Sequence, residues 1–246
     1  MNGVLGVIPL RMASTRLPGK PLLVLGNLPL FAWVYQAGTK AAKLDKLIVA
    51  TESASIQEKA EQLNIPCLLT PPMNTGSDRV GWTSRKFPGY QIVVNIQGDE
   101  PLIKAGDIDL VVTALQEDIQ ADVATLYNRS AEPTDYQDPS KVKLVADHYN
   151  HALYFSRSPI PCCLNQTSPV IKKHCGIYAY RREFLIRFNQ QPQTELEKTE
   201  QLEQLRILEM GGIIAVRETS NDSWGIDTQQ DYDKAKSIFK KRENYG

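Results

Sequence analysis

Apolar and polar positions alternate in blocks over the first hundred residues of the chain. Val4–Leu10 is an apolar run short enough for a buried strand. Leu28–Lys43 carries Phe31, Val34 and Tyr35 at helical spacing, with Pro29 near its start, and predicts a helix. Leu47–Thr51 predicts a second buried strand, Ala54–Leu63 a helix, and Cys67–Thr70 a short third strand. Pro71–Gly76 is rich in turn formers and leads through Ser77 and Asp78 into a helix expected to reach Lys86. Ile92–Ile96 is continuous enough for a strand covered on both faces. Strands alternating with helices at this spacing predict a doubly wound, mostly parallel sheet.

The pattern changes after Asp118. Asp122–Arg129, Val142–Asp147, Ala152–Ser156 and His174–Tyr180 read as strands with no helix between them, separated by Pro- and Asp-rich turns. Helices are then expected at Arg182–Phe188 and Thr194–Met210, a strand at Ile213–Arg217, and a charged closing helix at Thr228–Lys241. No internal repeat or low-complexity linker interrupts this order. The expected organisation is one α/β domain over residues 1–246, with a strand-rich inserted subregion at about 122–210.

Bulk composition narrows the function classes. The 28 basic and 28 acidic residues cancel, which argues against a protein that coats nucleic acid. No apolar run approaches the length of a membrane span, and the N-terminus lacks a signal-peptide pattern, so a cytosolic enzyme is expected. Cys162, Cys163, His174 and Cys175 lack the spacing of a zinc motif, and reduced thiols are the better reading of the cysteines.

Two stretches carry candidate chemistry. Arg11–Leu22 follows the first strand directly and holds Arg11, Arg16 and Lys20, with Ser14 and Thr15 between them and a Pro18-Gly19 break. Such a loop at the carboxyl end of a sheet is either a solvated basic turn or a seat for a ligand with several negative charges. The fourth strand runs into Gln97-Gly98-Asp99-Glu100-Pro101, and ligands of open α/β sheets bind beyond the carboxyl ends of the strands. Asp99 is thereby expected to face the basic loop. A carboxylate opposite a polyphosphate repels it unless a cation intervenes, and magnesium takes one or two carboxylates plus phosphate oxygens. Asp227, just before the last helix, is either the second carboxylate or a helix-capping acid.

Six motifs, taken together, resemble the 3-deoxy-manno-octulosonate cytidylyltransferases, or CMP-KDO synthetases. They are STRLPGKPL (14–22), NIQGDEP (95–101), ALYFSRxxIP (152–161), HxGIYAY (174–180), LEQLR (202–206) and GIDT (225–228), in the same order as in that family. The resemblance runs from about residue 4 to about 235. It implies a nucleotide-diphospho-sugar transferase-like, Rossmann-like fold, a homodimer, CTP and Mg²⁺. It also implies CMP-KDO and pyrophosphate as products, made for the inner core of lipopolysaccharide.

The same resemblance assigns roles. It places Arg11, Ser14, Arg16, Lys20 and Arg79 on CTP, with Lys20, Arg11 and Asp99 catalytic and Asp99 and Asp227 on the metal. It places Gln97, Arg157, His174, Tyr178, Glu203 and Gln204 on the sugar acid, where Arg157 would meet the carboxylate and the others hydroxyls. The chain departs from the family at Thr75-Gly76-Ser77-Asp78-Arg79, where the hydroxyls are exchanged around the glycine, and at Glu52, where an aspartate is usual. A third departure is Thr228-Gln229-Gln230-Asp231, which should alter only the start of the last helix. Competing readings are transfer to 8-amino-KDO or a sialic acid, and a catalytically silent nucleotide-binding module on the same fold.

Overall fold

A computed structural model describes residues 3–13, 16–164 and 169–243. The chain divides into two compact units, Met1–Ile108 with Ser223–Gly246, and Asp109–Asp222.

The first unit opens with β1 (Gly3–Leu10) and a 3₁₀ turn at Lys20–Leu22. A small hairpin of β2 (Val24–Leu25) and β3 (Leu28–Pro29) leads into α1 (Leu30–Gly38). Then come β4 (Lys46–Thr51), α2 (Ala54–Gln62), β5 (Cys67–Leu69), α3 (Gly76–Lys86) and β6 (Tyr90–Asn95). The next helix, α4 (Ala105–Glu117), spans the junction of the two units in sequence. The order β6-β1-β4-β5 is parallel throughout, with Val7 in register with Ile48 on one side and Asn95 on the other. Val7, Ile8, Val49, Val93 and Val94 are all fully buried, as expected for strands covered on both faces.

The second unit contains β7 (Val123–Ser130), α5 (Pro133–Gln137), β8 (Lys143–Ala146), β9 (Ala152–Ser156) and β10 (Ile171–Arg181). These are followed by α6 (Arg182–Phe188), α7 (Glu195–Glu200), α8 (Gln204–Glu209) and β11 (Ile214–Glu218). Here β7 pairs parallel with β11 and antiparallel with β10, which in turn pairs antiparallel with β8, and β8 with β9. The last helix, α9 (Gln229–Glu243), returns to the first unit.

The α/β class and the mostly parallel first half match expectation. Five local details differ. The helix expected over Leu28–Lys43 ends at Gly38, whose Cα lies so near Leu47 that an added Cβ would stand 2.6 Å from its Cδ2. Its first two expected residues form β3, because Gly26 at φ 61° closes a tight hairpin. α4 has no counterpart in the sequence-based reading, although Ile108, Val111, Val112 and Leu115 recur at i, i+3, i+4 and i+7, and all four are fully buried. α5 interrupts the strand-rich region, with Pro133 in its first turn. Finally, the helix expected over Thr194–Met210 is two helices, broken where Gln201 takes the left-handed conformation at φ 54° and ψ 47°.

α7 and α8 are tied together by an ion pair buried on both sides. Arg206 Nε lies 2.9 Å from Glu197 Oε2 and Nη2 donates to Oε1 at 3.1 Å, with both side chains at most 4% exposed. The guanidinium also stacks 4.1 Å from the Phe188 ring centroid. Removing one partner strands the other charge away from water. Arg206→Ala should therefore lower the unfolding free energy by about 3–5 kcal/mol, while replacing both residues by apolar ones of similar volume should cost far less. Urea unfolding of the two variants checks this.

Candidate active site

In the first unit, three segments distant in sequence bring opposite charges together. The chain leaves β1 and turns at Gly19, whose φ of 68° favours glycine. Leu17 packs in a buried cluster with Leu25, Leu30, Ile226, Tyr232, Ala235 and Phe239, which pins both the basic loop and the segment before α9. Tyr232 adds a hydroxyl bond to the Val24 carbonyl at 2.6 Å. Beyond β6, Gly98 passes close to β1, and an added Cβ would meet the Leu10 Cδ2 methyl, which would have to shift for Asp99 to keep its place. The Asp99 carbonyl accepts the Ile226 N–H at 2.9 Å, which sets Asp227 beside it.

Lys20 Nζ lies 2.5 Å from Asp99 Oδ2 and 2.9 Å from Asp227 Oδ1. Arg16 Nη2 approaches Asp227 Oδ2 at 3.0 Å from a mostly exposed position. Burial alone would lower the Lys20 pKa, but Asp99 and then Asp227 outweigh it and the net shift is upward. Burial raises the Asp227 carboxyl, and Lys20 and Arg16 more than offset this, holding it below the usual carboxylate range. Two cations thus stand on two carboxylates. Beside them Glu100 is buried, accepts from Ser223 Oγ at 2.9 Å, and is pushed up to about 7 by burial and by Asp99.

The donor set suits a hard cation shared with a ligand. Among the described residues, no group of three or more His, Cys, Asp or Glu side chains stands where a metal could be held. Two carboxylates alone need further oxygens, which is the pattern of an ion carried partly by phosphate. The four zinc candidates form no such group either.

Of the remaining residues expected on the nucleotide, Arg11 is exposed and Ser14 lies outside the described residues. Arg79 is buried. It donates to Thr70 Oγ1 at 2.8 Å and pairs with Glu52, the residue whose role the sequence left open. Burial lowers the Arg79 pKa, opposed by Glu52 and reinforced by Arg11. The altered turn before it works as a helix cap: Thr75 Oγ1 accepts the Asp78 N–H at 3.1 Å and Asp78 Oδ2 accepts the Thr75 N–H at 3.2 Å. Gln97 is half-buried and reaches Asn95 Oδ1 at 3.5 Å.

In the second unit the register of β10 against β7 shifts between Cys175 and Tyr178, and Thr125 fills the irregularity. Its hydroxyl oxygen lies 2.7 Å from the Ile177 carbonyl, 3.1 Å from the Cys175 carbonyl and 3.0 Å from His174 Nε2. One hydroxyl proton must serve a carbonyl, so the His174 ring donates from Nε2 and keeps Nδ1 as an acceptor. Phe155 stands edge-on to that ring at 5.2 Å, and Tyr178 lies tilted to it at 5.3 Å. Glu203 occupies the N-cap position of α8 without a side-chain cap bond, and Gln204, the first residue of the helix, is buried. Arg157 lies at the end of β9 with each guanidinium nitrogen donating to a main-chain carbonyl.

Burial pushes the His174 pKa down to about 3. Its imidazole should stay neutral from alkaline pH down to about pH 5, whereas an exposed histidine would titrate near 6.5. Ring chemical shifts followed across pH 5–8 check this, and a midpoint near 6.5 would refute it.

The profile of the cytidylyltransferase family matches residues 5–220. A 3-deoxy-manno-octulosonate cytidylyltransferase of Leptospira biflexa is 39% identical, with 97% of each chain covered. One from an Anaeromyxobacter strain is 41% identical, over 97% of this chain and 98% of the relative. The solved structure of a CMP:2-keto-3-deoxy-manno-octonic acid synthetase complexed with CTP superposes with a TM-score of 0.93 at 34% identity, over 98% of this chain and 99% of that one. Agreement in sequence and in fold extends over nearly the whole length, and the chain belongs to the 3-deoxy-manno-octulosonate cytidylyltransferase family of nucleotidyltransferases.

Proposed function

We propose that the chain transfers the CMP group of CTP to the anomeric 2-hydroxyl of KDO, releasing pyrophosphate and giving CMP-KDO for the inner core of lipopolysaccharide. The observation that carries the reading is Lys20 between Asp99 and Asp227 at the carboxyl end of the parallel strands. The relatives named 3-deoxy-manno-octulosonate cytidylyltransferases, alike over nearly the whole length, support the same choice of substrates.

The sugar 2-oxygen forms a bond to the α-phosphorus and its proton passes to solvent, while the bond from that phosphorus to the bridging oxygen breaks and pyrophosphate departs. Catalysis of this kind is mainly positioning and charge neutralisation. Lys20, Arg16 and Arg11 supply positive charge to the triphosphate, Lys20 serving the charge that develops during transfer. Asp99 and Asp227 would hold Mg²⁺, which when bound offsets phosphate charge and makes a hydroxyl more acidic. Arg79 serves the nucleotide with its guanidinium oriented by Glu52 and Thr70. His174, Tyr178, Glu203, Gln204 and Gln97 are assigned to the hydroxyls of the sugar acid. A neutral His174 suits that task, because it offers an acceptor without carrying charge.

In this reading the enzyme is a cytoplasmic homodimer. A nucleoside triphosphate substrate fits that compartment, and among the described residues no helix is long and apolar enough to cross a membrane. Tyr149 and Leu153, 69% and 61% exposed in the second unit, are apolar surface suited to a subunit contact.

Pyrophosphate release with CTP and magnesium, measured against KDO, 8-amino-KDO, a sialic acid and a hexose 1-phosphate, tests the reaction. Release with KDO in strong preference to the others is expected. Preference for another sugar overturns the substrate, and silence with all four in a protein that binds CTP overturns the reaction. Lys20→Ala should lower turnover by about 10²–10³, the usual loss when a donor to a developing charge is removed. Steady-state kinetics at saturating CTP measures it, and near-normal turnover would remove Lys20 from that role.

A further inference from the structure

Residues four apart on a regular strand point to the same face but stand about 13 Å from each other, too far for their rings to meet. His174 and Tyr178 are four apart on β10, yet their ring centroids lie 5.3 Å from each other. The register against β7 explains the approach. Cys175 pairs with Leu126 and Tyr178 with Thr125, so β10 advances three residues where β7 advances one. Gly176 and Ile177 are thereby drawn out of the pairing with β7. An even number of extra residues leaves the alternation of faces intact, and Tyr178 takes the place beside His174 that residue 176 would hold in a regular strand. Tyr180, two residues further on in regular pairing, stands 5.8 Å from Tyr178, much the same spacing.

A bulge of this size takes backbone carbonyls away from their ladder partners, and inside a sheet they need others. Thr125 meets them. It lies on a strand paired on both sides, with Tyr178 of β10 and Val216 of β11, and has no exposed surface. Its hydroxyl lies 2.7 Å from the Ile177 carbonyl and 3.1 Å from the Cys175 carbonyl, and its oxygen is 3.0 Å from His174 Nε2. A buried hydroxyl is costly unless it is bonded. Valine would fill the same space without that cost, so what the hydroxyl contributes lies in its bonds. One side chain thus holds the bulge and the tip of the His174 ring, and the bond at Nε2 fixes which ring nitrogen carries the proton.

We propose that Thr125 is a positioning residue of the sugar-acid site: its hydroxyl pins the β10 bulge and the His174 ring, and so sets His174 and Tyr178 side by side with Nδ1 of the imidazole as an acceptor. The proposal rests on the reading above in which these two residues meet the sugar acid.

The test compares Thr125→Val, which keeps the shape and removes the hydroxyl, with Thr125→Ser, which keeps the hydroxyl, in the full-length enzyme. KM for KDO, KM for CTP and kcat are measured separately, and urea unfolding checks the fold of each variant. Thr125→Val should raise KM for KDO by about tenfold or more with KM for CTP little changed, and Thr125→Ser should bring it back to within about threefold of wild type. Nitrogen NMR spectra of the ligand-free wild type should show His174 protonated at Nε2 and bare at Nδ1, with an Overhauser contact between the His174 and Tyr178 rings. Both signatures should weaken in Thr125→Val and persist in Thr125→Ser. A wild-type KM for KDO in a folded Thr125→Val would overturn the proposal, as would equal losses for KDO and CTP. A wild-type His174 ring protonated at Nδ1 would overturn it as well. If the valine variant does not fold, the wild-type spectrum and the serine variant decide by the same criteria. A wild-type enzyme that uses no KDO would defeat the reading of the sugar site, while the spectra still decide whether Thr125 sets the His174 ring.

Discussion

Placement of one lysine charge between two carboxylates is the constraint on which the first unit depends. Lys20 stands 79 residues from Asp99 and 207 from Asp227 in sequence, so nothing local brings the three together. Packing does. Leu17 and Ile226 lie within two residues of Arg16 or Asp227 and are buried in one apolar cluster with α1 and α9 residues. Ion pairs so close to the surface contribute little net stability once desolvation is counted. The apolar cluster therefore supplies the free energy, and the charges take up positions that it dictates. Without Lys20 the two carboxylates would face each other at close range. At near-surface effective dielectric, like charges about 4 Å apart repel by about 4 kcal/mol before screening.

The second unit is built on a different balance. His174 and Tyr178 carry neutral polar groups among aromatic rings: Phe155, His174, Tyr178, Tyr180 and Phe188 follow one another at centroid spacings of 5.2 to 6.4 Å. Within such a ladder an imidazolium would be costly, which is why burial keeps His174 neutral. Charges that do enter this unit are tied down in pairs or on carbonyls, as with Arg206 on Glu197 and Lys143 on Asp138 and Arg157. In the proposed reading, the neutral groups of His174, Tyr178 and Gln204 suit a ligand rich in hydroxyls, whereas the cations of the first unit suit phosphate.

Legibility in the sequence followed physical locality. The buried strands near Val4, Ile48 and Ile92 were readable because continuous apolar runs bounded by turns have few alternatives. The convergence of Lys20 with Asp99 and Asp227 was readable from the position of each at a strand end or before a helix, together with the family motifs. What escaped was decided by single backbone conformations and by tertiary partners. The left-handed Gln201 breaks α7 from α8 although nothing in its side chain announces it. α4 is amphipathic by position, but its small and acidic residues masked the stripe formed by Ile108, Val111, Val112 and Leu115. The partnership of Glu52 with Arg79 joins the ends of two separate elements, and no spacing rule could have matched them.

The arginines show why residue type alone could not assign function. Arg16 is mostly exposed and meets Asp227 by a single ion-pair contact, so little holds it in place. Arg79 is buried and fixed by a carboxylate and a hydroxyl. Arg206 is buried against a carboxylate and an aromatic face. Arg157 spends its side-on edge on two carbonyls at a helix end. All four would read equally as anion ligands in a motif. Arg16 keeps its guanidinium at the surface, where an incoming phosphate could compete for it with one carboxylate. For Arg206, contact with a ligand would first require giving up a buried carboxylate and a carbonyl, and the cost of orphaning such buried acceptors exceeds the gain from an ordinary exposed ion pair. Hydrogen-bond accounting at the guanidinium, more than its presence in a motif, separates cations that can meet substrate from those that hold the protein in shape.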